Sequence, residues 1–521
     1  MRRALIRLLP LRALSDRPVA VGAPAALFAL LALRAALAPV ADPDVWWIAV
    51  AGRELLAIGH VPTANGYSFA APAHPWVMHE WLVAAPYALG LARWGTTFVS
   101  AVGLVGAGFT GWLLARATVA RSRHLAAGAG LALVAITGCR ECLFAPRPGY
   151  LALALALALA DLSFAPRWTP HLALAAVCLE LLWTNVHGSF PLGVALLTVG
   201  ALAAVRDRRG RAATAAAALA VTALNPYGLR LHGLVGRYLR GTDPAMALVQ
   251  ANIAEFAPLW RPRWPFASPY SLAAAACVAA LMVSAFAHRR HRARASVVLG
   301  LLCLAALHVR HLALAALVGC VLLVPEADDL LDDAELPPSS PPPRRGLTAV
   351  VVLPGLLVGV LGLALSAPGR GMSGGTDASL GGAAMARLAV GLPSGARVYA
   401  PFEASGRLLW VAPPGVHVLL DPRNDCYPAA VLEAGFGLQS GRLEGGDARA
   451  VLDRYEVGWL LVPDAHGVAR AVARDAGWTV VRREGDWTLR RRATHGERYG
   501  APIIGQVEPV AGLTDPGWSL Q

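Results

Sequence analysis

Apolar runs of about the length that crosses a bilayer recur along this chain, with short clusters of arginines in several of the stretches between them. A bilayer core takes about 20 apolar residues per helix, so a chain with many such runs has the membrane as its main solvent. Composition agrees, since 56% of the 521 residues are hydrophobic and 15% are charged, too apolar and charge-poor for a soluble protein of this length. Eleven spans are expected, near 18–40, 97–119, 125–142, 149–165, 171–186, 188–205, 212–225, 268–287, 295–309, 311–325 and 347–367. The run LALALALALA at 151–160 alternates as a strand would, but both residue types are apolar helix formers, so it reads as helix.

The net charge is +13, and all 46 basic residues are arginine. They lie in clusters between apolar runs rather than on one basic face, so no nucleic-acid partner is expected. Topogenic signals account for them better. The clusters at Arg2, Arg3, Arg7, Arg12 and Arg17, at Arg121 and Arg123, at Arg206, Arg208, Arg209 and Arg211, and at Arg289, Arg290, Arg292 and Arg294 all fall on one side of this span list. That side is cytoplasmic by the positive-inside rule, which puts the N-terminus inside and the C-terminal domain outside. The acidic, proline-rich stretch 326–346 is then a cytoplasmic linker between spans, and the first apolar run is a retained helix rather than a signal peptide. Seven scattered cysteines imply no disulfide framework, and the single CxxC at Cys139 and Cys142 has no second pair with which to complete a zinc site.

With this topology the outer segments collect the residues capable of chemistry. The first outer loop, 41–85, offers Asp42, Asp44, Glu54, His60, His74, His79 and Glu80; later ones offer Arg140, Glu141, Arg147, Asn185, His187, Asn225, Glu255, Arg310 and His311. Polar groups at helix ends inside a bundle are costly to desolvate and mark candidate sites. Each also has a structural reading. Asp42 before Pro43 fits a helix cap, with Trp46 and Trp47 as headgroup-level anchors; His187 fits a cap at a helix junction, and Arg147 a headgroup contact. From 381 to 492 short apolar runs (RVYAPF, GVHVLLD, GWLLVP, WTVVRRE, WTLRRR) alternate with helical stretches, the pattern of a small α/β domain followed by a loosely ordered tail, 493–521. It has no phosphate-cradling glycine loop and no nucleophile elbow. Asp421, Arg423 and Asp425 follow one of its strands and read either as a binding surface or as a salt-bridged turn.

The order of DPDVWW, Gly52, HVP, YSF, PW and HEWL in the first loop, then RPG at 147–149, NVHGSFPLG at 185–193, NPYG at 225–228 and DPRNDCY at 421–427, resembles bacterial members of the GT-C superfamily. These multi-spanning glycosyltransferases use polyprenyl-phosphate-linked sugars and are related to protein O-mannosyltransferases and lipid A aminoarabinose transferases. The resemblance implies an α-helical polytopic protein of the bacterial inner membrane, with a GT-C-like transmembrane domain over 1–370 and an extracytoplasmic α/β domain. It implies inverting transfer of a sugar at the outer face, from a polyprenyl-phosphate carrier to an envelope glycan, lipid or protein acceptor. Asp44, or its neighbour Asp42, matches the acidic position that serves such enzymes as base or metal ligand. His79 and Glu80 are candidates for acceptor or metal contact, and Arg147, Asn185, His187, Arg310 and His311 for the lipid-linked substrate, with Arg147, His187 and Arg310 on its phosphate. The chain departs from the pattern at Ile48, where relatives carry His, and at Asn65, where they commonly carry Asp. The acidic pair is compatible with a divalent ion but supplies no third ligand. A lipid or polysaccharide transporter and an inactive membrane anchor remain open alternatives, although no inverted repeat shows in the hydropathy.

Overall fold

The structure, a computed structural model, describes residues 17–143, 149–240, 243–261, 268–334, 380–443 and 445–493. The expected span at 347–367, the tail beyond 493 and Arg147 lie outside the described residues. The chain forms two compact units.

The first unit comprises the described parts of Met1–Leu37, Ser100–Arg240 and Val249–Leu361, and it is helical. Helices stand at each of the ten expected span positions that are described: Arg17–Leu37, Thr96–Ala117, Leu125–Gly138, Gly149–Ser163, Pro170–Val186, Pro191–Ala203, Arg208–Val221, Pro269–Ala287, Arg292–Leu307 and Leu312–Leu322. Among the described residues two, Thr96–Ala117 and Pro269–Ala287, are long and apolar enough to cross a membrane unaided; most of the others are shorter apolar helices. The count of eleven spans is therefore not established by helix length. Local chemistry starts these helices where it should. Thr169 accepts from Leu172 N at 3.3 Å with Pro170 at the first helical position, and Ser268 accepts from Ser271 N at 3.2 Å ahead of Pro269.

The acidic stretch expected to open a linker at 326 is instead helical over Val324–Asp332. Its partners explain the difference. Asp328 accepts from Ser122 Oγ, Arg123 N and His124 N; Asp329 and Asp332 pair with Arg123 at 2.6 and 3.0 Å, and His124 Nε2 lies 2.7 Å from Asp332. Acids four residues apart on a helix share a face, and here that face meets cations from the turn before Leu125–Gly138. All seven cysteines are free.

The second unit comprises the described parts of Ala38–Val99, Gly241–Leu248 and Gly362–Gln521. Its five-stranded sheet has β1 (Arg397–Tyr399), β2 (His417–Val418), β3 (Trp459–Pro463), β4 (Trp478–Glu484) and β5 (Trp487–Arg492) in the order β2-β1-β3-β5-β4. β1 runs parallel to β2 and β3, and β5 antiparallel to β3 and β4. The five strands fall on the five apolar runs of the sequence. Leu438, Leu452, Val457, Leu460 and Val462 make its core, and Phe69 and Ala70 of the first loop pack on that core. The loop does more than cover it. Tyr67 O accepts from Val418 N (2.9 Å), Phe69 N donates to Val418 O (3.2 Å) and Ser68 Oγ donates to Leu419 O (2.8 Å), so residues 67–69 pair with the exposed side of edge strand β2. An edge strand left bare invites pairing with another chain; here the first loop takes that place.

Candidate functional site

The Asp44–Ile58 helix begins directly after Asp42-Pro43. Asp42 Oδ1 accepts the backbone N–H of Asp44 at 3.0 Å, so the capping role falls to Asp42. Asp44, half-buried in the first turn, accepts from Trp47 Nε1 through Oδ1 at 3.0 Å. A carboxylate there also lies at the positive end of the helix dipole. The two tryptophans do not sit as headgroup anchors. Trp46 is 3% and Trp47 5% exposed; the first lies under the Arg407 guanidinium and the second meets Trp76 edge to face. Buried partners, Arg407 of the sheet domain and Trp76 of the first loop itself, overrode the sequence expectation. Gly52 lets this helix close on Trp81–Trp94, because a Cβ there would fall 1.9 Å from Ala84 O. His79 and Glu80 immediately precede that second helix, with His79 Nε2 3.9 Å from Glu80 Oε1, and Glu80 is buried.

The first loop is clamped by a buried polar node. Arg423 donates from Nε and NH2 to the two oxygens of Asp421 at 2.8 and 2.7 Å and packs against the rings of Tyr67 and Trp76, 4.2 and 4.4 Å from their centroids, the two rings themselves meeting edge to face. Burial works against the guanidinium charge, but Asp421 outweighs it and holds Arg423 well above its ordinary value. Asn65 Oδ1 accepts from Arg423 NH2 (2.7 Å), Tyr67 N and Ser68 N, while its Nδ2 donates to Cys426 O. Asn65 thus serves the fold. Tyr67 donates its hydroxyl to Glu54; burial first, then that carboxylate, push the phenol well above its ordinary value. Asp421 and Arg423 therefore form the salt-bridged turn, not an open binding surface.

In the first unit, Asn185 ends the Pro170–Val186 helix and donates to Leu181 O and Leu224 O at 2.8 and 3.1 Å. His187 Nδ1 accepts from Ser189 N at 3.2 Å and lies 2.7 Å from Ser189 Oγ, ahead of the Pro191–Ala203 helix, which supports the junction-cap role. Asn225 closes its turn onto Thr222 O and Gly228 O, with Gly228 at φ +54°, so NPYG is a turn that needs its glycine. Arg310 pairs with Glu255 at 2.9 Å and stacks over Phe256, with His311 beside it in the same short 3-10 turn. The structure thus groups Arg310, His311 and Glu255, places Asn185 and His187 at one helix junction, and holds Asp42, Asp44, His79 and Glu80 in the other unit.

Sequence reasoning passed over Glu180. It is fully buried in the Pro170–Val186 helix, neither carboxyl oxygen has a hydrogen-bond partner, and a Cβ on Gly193 would lie 1.9 Å from its Oε2. The signal was present as a lone charge within the run HLALAAVCLELLW. As for a metal, Asp42 and Asp44 offer the hard oxygen donors a divalent ion prefers. Among the described residues, however, the group of three with ligating atoms within 4.8 Å of one another is His291, Glu326 and Asp329, in the first unit. The acidic pair by itself does not make a complete metal centre.

The chain thus combines a many-helix unit with a second unit built on a five-stranded sheet. Solved structures similar to this chain include those of the oligosaccharyltransferase AglB of Archaeoglobus fulgidus. Its apo form matches at 11% identity and TM-score 0.54, over 85% of this chain and 69% of that one. Its complex with an inhibitory peptide and a dolichol-phosphate matches at 10% and 0.53 over the same shares, and its complex with Zn and sulfate at 13% and 0.50, over 84% and 68%. At these identities the likeness is one of fold. No family model and no curated protein matches the chain.

Proposed function

We propose that the chain is a membrane glycosyltransferase that moves a sugar from a polyprenyl-phosphate carrier to an envelope acceptor at the outer membrane surface. Asp44 carries this reading. The cap of its helix is supplied by Asp42, so Asp44 is not needed for capping, and Trp47 fixes its carboxylate in a half-buried first turn. In the step proposed, the acceptor oxygen bonds to the anomeric carbon and the bond from that carbon to the carrier phosphate breaks with its electron pair. The acceptor proton passes to Asp44 and the phosphate departs as an anion. A hydroxyl is too weakly acidic to attack unaided, which is why a base at that position matters.

Arg147, Asn185, His187, Arg310 and His311 are proposed for the lipid-linked donor, with Arg147, His187 and Arg310 for its phosphate, and His79 and Glu80 for the acceptor or a metal. Arg310 is already paired with Glu255, so phosphate would have to share or displace that partner. The similarity to an oligosaccharyltransferase solved with a dolichol-phosphate and with an acceptor peptide supports a lipid-linked donor in general terms. The test is transfer of radiolabelled sugar from a polyprenyl phosphate to envelope fractions by the purified full chain in detergent. Wild-type transfer that disappears in Asp44→Asn, with the protein still folded, is the expected result. No transfer by wild type with any donor and acceptor pair leaves the transporter or the anchor in its place.

A further inference from the structure

Where the Gly149–Ser163 and Pro191–Ala203 helices end and Arg208–Val221 begins, the first unit holds a cavity of about 380 Å³, within the ~300–1,000 Å³ of small-molecule sites. Ser163, Ala165, Gly200, Val205, Arg206 and Arg211 line it. The wall is tight at Gly200, where a Cβ would fall 2.4 Å from Ser163 O.

Arg211 is 7% exposed, and among the described residues no carboxylate makes an ion pair with it, the Asp207 charge acting on it only from a distance. NH1 donates to Ser163 O at 2.9 Å and NH2 to Ala165 O at 2.5 Å, the guanidinium lies over Trp168 at 4.7 Å, and Nε has no partner. A buried charge without a counter-ion is expensive, and carbonyl oxygens only partly offset it. The surroundings add to the positive field. Arg206, Arg208 and Arg209 are exposed on the adjoining turn and Arg167 on the facing one, against Asp207 alone. Asp161, the other nearby acid, is taken up by Arg116 and Arg121. Beside these cations stand bare apolar side chains, Leu202 at 65% and Val205 at 98% exposed. A cationic recess with an apolar rim at a helix end matches an anionic headgroup joined to acyl chains.

We propose that this cavity binds an anionic phospholipid of the phosphatidylglycerol type, its phosphate held by Arg206 and the charge of the Arg211 guanidinium and its chains along Leu202 and Val205. The site lies at the start of the Pro170–Val186 helix, whose other end carries Asn185; 17 residues at ~1.5 Å each put them about 25 Å apart. It needs the chain to sit in a bilayer, and does not need it to be a transferase.

The full chain in detergent is analysed by native mass spectrometry with phosphatidylglycerol or phosphatidylcholine added in equal amounts. Wild type retains phosphatidylglycerol in preference, and Arg206→Gln, at an exposed side chain, lowers that preference about fivefold, the equivalent of one arginine at a charged lipid surface. Arg211→Gln abolishes it; because Arg211 also holds two carbonyls, the exposed-site variant keeps the result interpretable should Arg211→Gln not fold. Equal retention of the two lipids, or a preference unchanged in Arg206→Gln, overturns the proposal. A third arm adds inorganic phosphate or glycerol phosphate. If either displaces phosphatidylglycerol when equimolar with it, the site takes a soluble anion and the lipid assignment falls.

Discussion

Replacing Arg423 with Met removes the guanidinium from against Tyr67 and Trp76 while keeping much of its length. The cost follows from what remains. Asp421 is fully buried, and two of its hydrogen bonds are charge-assisted ones from Arg423 side-chain nitrogens. Stranding one partner of a buried ion pair costs about 3–5 kcal/mol. The lost contact to Asn65 and the stacking on two aromatic faces add to this, at about 0.5–1 kcal/mol or more for each cation–π face. For a body of about 150–250 residues each kcal/mol moves Tm by about 2–4 °C, so Arg423→Met lowers it by roughly 6–20 °C. Asp421→Asn costs less, because the amide oxygen still accepts from Arg423 and the aromatic faces still hold the cation. Asp421→Leu combined with Arg423→Met costs less than Arg423→Met alone, since no buried charge is left. Tryptophan fluorescence during heating of the full chain in detergent follows this, with Trp76 at the node as reporter. A shift under about 2 °C for Arg423→Met, or a double variant worse than the single, refutes the idea that this pair clamps the first loop to the sheet.

Three further outcomes are expected. Asp44→Asn lowers sugar transfer per folded molecule by about 10²–10⁴, the usual worth of a general base, whereas Asp42→Asn, which still caps, stays within a few fold of wild type; equal losses in the two would remove Asp44 from the chemistry. Gly52→Ala drives a methyl into Ala84 O and costs about 1–3 kcal/mol as the helices part, read as a lower Tm; an unchanged Tm would mean that the close approach is not needed. Burial alone would raise the Asp329 carboxyl, but hydrogen bonds from Arg123 and His291 outweigh it and hold it below its ordinary 3.8. A depressed carboxylate stabilises the folded state above its unfolded value and loses that contribution as pH falls through the folded one. Protease cleavage of 324–332 therefore rises only below about pH 4, and a rise that sets in well above that pH on acidification would refute the assignment to Asp329.

Helix positions were legible in the sequence because apolar runs are local features, and the Thr169-Pro170 and Ser268-Pro269 starts, equally local, went unread. The five strands were legible for the same reason. What could not be read locally was partnership. Trp46 and Trp47 look like interfacial anchors until Arg407 and Trp76 cover them, and 326–332 looks like linker until Arg123 and His124 neutralise its acids. Asp421 and Arg423 allowed two readings, and only the burial of both decided between them. Glu180 was a different kind of miss, visible in the sequence and overshadowed by charges at helix ends.

The pairing of residues 67–69 with β2 also sets a clock on synthesis. Ser68 and its partner Leu419 are separated by 351 positions, which at about 5–20 residues per second is some 20–70 s of translation. Throughout that interval the first loop has been made but the strand it will join has not. Its Tyr67 and Trp76 faces, and the Asn65 amide that later receives Arg423, must wait in a form that neither aggregates nor is cut. Chains that stall before Arg423 should therefore be degraded from this loop outward, making it the earliest point at which an incomplete copy of the protein betrays itself.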